Sequence, residues 1–199
     1  MSSRRVSQLA DQLPTLQLGS RAEWERWLER WHDSAPGVWL ALAKRGSIHT
    51  TLTYAEALDG ALCFGWIDGQ KAALDEHLWL QRFTPRSARS RWSRINRDRA
   101  QELERSGRMR PAGAAQLERA RADGRWDAAY AGQRSAEVPD DLRVALLADP
   151  RALEFFDGLD SANRYAILYR IEEAKRPATR AQRIARYVSM LAAGERLHP

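Results

Sequence analysis

The hexapeptide Val38-Trp39-Leu40-Ala41-Leu42-Ala43 constrains this chain more than any other segment. Extended, it presents apolar side chains on both faces, so it must run inside a sheet rather than along its edge. Partners lie downstream. Residues 66–74 and 78–84 read as two strands joined by a turn at Asp75-Glu76-His77. In the second strand Leu78, Leu80 and Arg82 share one face, and Trp79, Gln81 and Phe83 share the other.

Helices are marked by their ends. Ser20 with Glu23, and Thr53 with Glu56, have the spacing of capping boxes. Behind the first, Trp24, Trp27, Leu28 and Trp31 recur at helical spacing as a core stripe. The second opens a helix through Ala57, Leu58, Ala61 and Leu62 that stops near Gly65. Ser93 is placed to cap a helix running to Ser106 and closing at Gly107. Pro111 opens the next, which ends at Asp123-Gly124, and residues 125–134 read as a short extension with Trp126 and Tyr130 on one face. Four more helices are expected near 139–148, 150–157, 161–174 and 178–193. The expected class is therefore α+β: a small antiparallel sheet with packed helices over residues 20–133, after a loose arm at 1–19, then an all-helical C-terminal module at 139–196.

Charge is distributed unevenly. Residues 82–110 hold ten arginines against three acids, a local +7 in a chain whose net charge is +6. Cationic charge confined to one segment points to an anionic partner, either a phosphate-bearing metabolite or nucleic acid. The chain has only three lysines (Lys44, Lys71 and Lys175), so arginine identity carries less weight than the clustering. Arg94, Arg97, Gln101 and Arg105 fall on one helical face. The alternative is a solvated face on which Asp98, Glu102 and Glu104 pair with neighbouring arginines over a buried stripe of Ile95, Ala100 and Leu103.

Two segments gather the candidate site residues. The glycine-flanked loop Phe64-Gly65-Trp66-Ile67-Asp68-Gly69-Gln70-Lys71 supplies Trp66 as a stacking ring, Asp68, and Lys71. On a regular strand Asp68 and Lys71 face opposite sides, so no direct pair is expected. The second segment supplies Arg82, Arg86, Arg91 and Arg97 to neutralise an anion, Ser93 and Asn96 to hydrogen-bond it, and Trp92 to stack. Two other readings stay open. One is an enzyme using Asp68 as general base on an anionic substrate; the other is a non-catalytic interaction module.

Other searches exclude. Cys63 stands alone, so no intrachain disulfide forms, and the four histidines show no metal spacing; neither metal nor cofactor is expected. No nucleotide-binding or hydrolase fingerprint occurs. Residues 1–18 lack a continuous apolar stretch and the run 38–43 is too short to span a bilayer, so the expectation is a cytoplasmic protein without membrane insertion.

Several phrases occur together: Tyr54-x-Glu56-Ala57, Phe64-Gly65-Trp66-Ile67-Asp68, Arg82-Phe83-Thr84-Pro85-Arg86, Ser90-Arg91-Trp92-Ser93-x-Ile95-Asn96, Gly107-Arg108-Met109-Arg110-Pro111-Ala112-Gly113, and Glu172-Glu173-Ala174-Lys175-Arg176-Pro177-x-Thr179-Arg180. The set resembles the bacterial YdeI/OmpD-associated family, also labelled bacteriocin-protection proteins, from about Ser20 onward. The resemblance implies an indirect link to envelope stress and antimicrobial-peptide resistance. It carries no catalytic residues over.

Overall fold

The computed structural model describes residues 13–132 and 136–198. It divides into two compact units. The first holds the residues up to Trp92 together with Asn96–Ala128; the second holds Ser93–Ile95 and the chain from Ala129 onward.

The first unit is built on four strands, β1 (Thr15–Leu16), β2 (Val38–Ala43), β3 (Trp66–Ala73) and β4 (Leu78–Pro85), in the order β1-β2-β4-β3. β2 is interior, as its two apolar faces require, with β1 on one side and β4 on the other. The β3–β4 hairpin is closed by Asp75, whose carboxylate accepts the backbone N–H groups of His77 and Leu78, both at 2.7 Å. The expected antiparallel sheet is in fact mixed, because β1 runs parallel to β2. Of the segment expected to be a loose arm, residues 1–12 lie outside the described residues, while Thr15 and Leu16 pair with Trp39 and Leu40. Two residues are too few to give a periodicity signal in the sequence.

Helices α1 (Arg21–Trp31) and α2 (Tyr54–Cys63) cover one face of the sheet. Ser20 and Thr53 cap them as the spacing predicts, and Thr53 with Glu56 makes both bonds of a capping box. Paired residues in an antiparallel sheet point to the same side. The covered face therefore carries Val38, Leu40 and Leu42 from β2, Trp79, Gln81 and Phe83 from β4, and Trp66 and Asp68 from β3. Trp24 anchors α1 there, its ring 5.7 Å from Phe83 and edge-on to Trp66 at 6.5 Å, with its indole N–H donated to the Ala57 carbonyl. Trp31, at the end of the expected stripe, is 42% exposed; a helix of about three turns outruns the width of the core.

Helix α3 (Arg94–Arg105) buries Asn96, Ala100 and Leu103. Ile95, expected in that stripe, is exposed, and Asn96 takes the inward position. Helix α4 (Pro111–Ala122) begins at a proline, which lacks the N–H that a first turn leaves unpaired anyway. It meets the end of α2 at two glycines. Gly65 has φ +75°, and a Cβ there would lie 2.9 Å from the Ala112 carbonyl; a Cβ on Gly113 would lie 2.3 Å from the Cys63 carbonyl. Residues 123–128 form turns rather than the expected helix extension. Trp126 packs edge-on against Trp92 at 5.2 Å, while Tyr130 packs on Tyr169 within the second unit. Burial of large rings outweighed the weak helical spacing of that segment.

In the second unit, helices α5 (Asp140–Leu147), α6 (Pro150–Asp157), α7 (Ser161–Glu172) and α8 (Pro177–Ala192) enclose Leu142, Leu146, Phe156, Ile167, Leu168, Ile171, Ile184 and Leu191. Asp149 and Asp160 cap α6 and α7. The class is α+β, with helices making up the C-terminal part.

Two consequences are testable. Gly113→Ala drives a methyl group into backbone with no room to yield, so the variant is expected to lose roughly 2–3 kcal/mol in denaturant unfolding. Arg180 clamps Asp141 with bonds of 2.5 and 2.8 Å, and this bond holds the Asp141 carboxyl below its usual range. A folded-state pKa lowered in this way adds stability that is fully present above the unfolded carboxylate pKa of about 3.9 and is lost as pH falls on through the lower folded-state pKa. Asp141→Asn is expected to cost about 0.5–1 kcal/mol near neutrality and nothing once the wild-type carboxyl is protonated, read from thermal unfolding against pH.

Candidate functional site

The parity rule for strands separates Asp68 from Lys71, yet the structure brings them together. Asp68 pairs with Phe83, and Lys71 with Gln81. Three steps along β3 thus match two along β4, which is a β-bulge. The extra residue reverses the alternation, so Lys71 lies on the same face as Asp68. The bulge is held from below. Gln81 is fully buried, and its side-chain N–H groups donate to the carbonyls of Gly69 at 3.0 Å and Gln70 at 3.3 Å. These are the carbonyls that the irregular strand leaves without a regular ladder partner.

Tyr54, at the first turn of α2, is where the two side chains meet. Its hydroxyl donates to Asp68 Oδ2 at 2.8 Å. Its ring lies 5.3 Å from Lys71 Nζ, which is also 5.2 Å from the centre of the Trp79 ring. The two half-buried rings are 6.1 Å apart and tilted by 45°. Asn96, from the first turn of α3, donates its side-chain N–H to the other carboxylate oxygen, Asp68 Oδ1, at 3.3 Å. Burial, then the neighbouring Asp68 charge, push the Tyr54 hydroxyl far above its ordinary value, so it remains a proton donor through the whole working pH range. The result is a carboxylate accepting from two side chains, beside a shelf of two rings with an ammonium group resting on it.

Of the ten candidate residues, Asp68, Lys71 and Asn96 belong to this cluster. Six of the others do not join it. Trp66 is core: it is 1% exposed, packs edge-on against Trp24 and Trp27, and donates its indole N–H to the His32 carbonyl. Arg82 pairs with Trp39 and so points to the opposite face of the sheet, where it reaches Gln70 Oε1 at 3.4 Å. Arg86 is buried flat on Trp92, 3.5 Å from the ring centre, and donates to the Arg91 carbonyl. Trp92 is buried between Arg86 and Trp126, which leaves no face for a ligand to stack on. Ser93 bridges Tyr130 within the second unit. Arg97 is bound to Asp98 at 2.9 Å.

Five of the ten arginines, Arg97 included, pair with an acid at home. Arg99 binds Asp59, Arg105 binds Glu102, Arg108 lies 3.3 Å from Asp59, and Arg110 lies 3.4 Å from Glu29. The alternative of a charge-paired face thus describes α3 and the loop after it, with several counter-ions coming from α1 and α2. Sequence reasoning missed Tyr54 and Trp79. Their signal was present: Tyr54 follows a helix cap, and Trp79 shares a strand face with Gln81. Cys63 is buried, and its thiol is pushed up to about 11, which makes it a poor nucleophile.

Among the described residues no group of three or more acidic, histidine or cysteine side chains is placed to hold a metal, and no helix is long and apolar enough to cross a membrane.

The fold and this cluster define a class: an α+β unit with a polar, aromatic-lined cluster beside a bulged edge strand, joined to a helical module. The chain belongs to the family described as domain of unknown function DUF8412, whose model matches residues 16–116, just over half its length. Residues 135–194 match the family described as Bacteriocin-protection, YdeI or OmpD-Associated, so the resemblance drawn from about Ser20 onward is matched in the C-terminal module. No curated protein and no solved structure matches the chain.

The bulge makes a direct prediction. Gln81→Leu keeps the volume but strands the Gly69 and Gln70 carbonyls, and is expected to cost about 1–3 kcal/mol in chemical denaturation. Amide hydrogen exchange is expected to accelerate in β3 more than in β2. Uniform acceleration would show that Gln81 supports the core alone.

Proposed function

We propose that the first unit binds a small anionic ligand at the Tyr54–Lys71–Trp79 shelf, with Lys71 as the anchoring cation. One observation carries this reading. Lys71 is exposed, pairs with no carboxylate among the described residues, and is held by ring contacts alone. A cation–π contact at an exposed site is worth about 0.5–1 kcal/mol. A charge-assisted hydrogen bond to an anion is worth about 1.5–3 kcal/mol. An arriving phosphate or carboxylate therefore outcompetes the rings for the ammonium group.

The arginines support a small ligand over a polyanion. Arg97 and Arg105 project from α3 already paired to Asp98 and Glu102. A nucleic acid lying along that helix would have to displace those acids. Asp68 supports binding over catalysis. Both its oxygens accept hydrogen bonds, from Tyr54 and Asn96, which suits a carboxylate that fixes α2, β3 and α3 around the shelf. Any part in bacteriocin protection, the phrase in the matched family's description, would run through capture of this ligand.

The test is titration of inorganic phosphate into the full chain, followed by NMR. Lys71→Met is expected to weaken binding about tenfold, a loss of about 1.4 kcal/mol. Arg97→Gln is expected to leave it unchanged within about twofold, because Arg97 is already matched. Equal losses in the two variants would mean that phosphate senses bulk charge and not this shelf.

A further inference from the structure

We infer that the ligand carries a flat aromatic ring, so that the site takes aromatic carboxylates or ring-bearing phosphates rather than anions in general. This rests on the anion reading above and names the class of molecule the same shelf accepts.

Three features of the shelf point to a ring. First, Tyr54 and Trp79 are half-buried, so each keeps some exposed surface although both are pinned in place. Tyr54 is fixed through its hydroxyl to Asp68, and Trp79 by its position in β4 between β2 and β3. A rigid ring costs little further ordering when a guest stacks on it. Second, the 45° tilt and 6.1 Å separation make an open wedge. A flat guest laid on one ring meets the other at about 45°, between the offset-stacked and edge-on arrangements that aromatic quadrupoles favour. Third, Lys71 Nζ sits at nearly equal distances from the two ring centres, 5.3 and 5.2 Å. A ring entering the wedge takes the place of the ammonium group over the π faces. The lysine stem is exposed and free to turn, so the charge moves to the rim and meets the anionic substituent there.

A cationic aromatic guest does not suit this arrangement. It would displace Lys71 from the rings yet leave the ammonium group beside a like charge. A ringless anion would bind Lys71 and gain nothing from Tyr54 or Trp79.

Isothermal titration of the full chain with benzoate, acetate and benzylamine separates these cases. Benzoate is expected to bind about tenfold more tightly than acetate, and benzylamine not measurably. Trp79→Leu is expected to bring benzoate down to the level of acetate, while Trp79→Phe, which restores a ring, recovers most of the preference. Equal affinity for benzoate and acetate would overturn the aromatic inference and leave the anion reading standing. Tighter binding of benzylamine would overturn both, as would the absence of binding by all three. Should Trp79→Leu fold poorly, Lys71→Met serves in its place. That variant tests the anion reading through the benzoate–benzylamine contrast, while the benzoate-to-acetate ratio of the unaltered chain decides the aromatic inference, a ratio near one overturning it.

Discussion

One buried amide governs the candidate site. Gln81 lies wholly under the sheet and holds two carbonyls of an edge strand out of regular register. Without that support the cheapest arrangement of β3 is an unbroken ladder, and an unbroken ladder turns Lys71 away from Asp68. The bulge also protects the sheet. β3 is an edge strand, and an irregular edge carrying a lysine is a poor template for pairing with another chain. The same distortion thus discourages edge association and gathers a carboxylate, two rings and an ammonium group.

Around that point the charges arrange themselves by elimination. Asp59 takes Arg99 and Arg108, and Glu29 takes Arg110, so three arginines of the long basic segment serve as struts between α1, α2, α3 and the loop that follows. Exposed pairs of this kind contribute little individually. Their effect on function is to remove arginines from the pool available to a ligand. Lys71, one of three lysines in the chain, keeps its charge uncommitted by any carboxylate among the described residues.

Much of the scaffold was legible in the sequence because its signals are local. Ser20 and Thr53 cap helices, Pro111 opens one, and the VWLALA strand lies inside the sheet. The site was harder to read because its determinants are not local. The pairing of Asp68 with Phe83 and of Lys71 with Gln81 is a property of two strands together, and nothing in β3 alone, apart from Gly69, announces a bulge. Counting charge along residues 82–110 could not see Asp59, Glu25 or Glu29, which arrive from helices dozens of positions away. Trp66 and Trp92 read as stacking platforms because a tryptophan beside polar residues looks the same in sequence whether it is buried or open. Both are 1% exposed.

The central claim is geometric: a bulge fixed by Gln81 sets the Lys71 ammonium group over the rings of Tyr54 and Trp79. Nuclear Overhauser contacts from the Lys71 ε-methylene protons in the unliganded protein test it most directly. The account requires contacts to both rings, with the ε-protons moved upfield by the ring currents. Lysine ε-protons at the shift of an unstructured chain, with no contact to either ring, would contradict it.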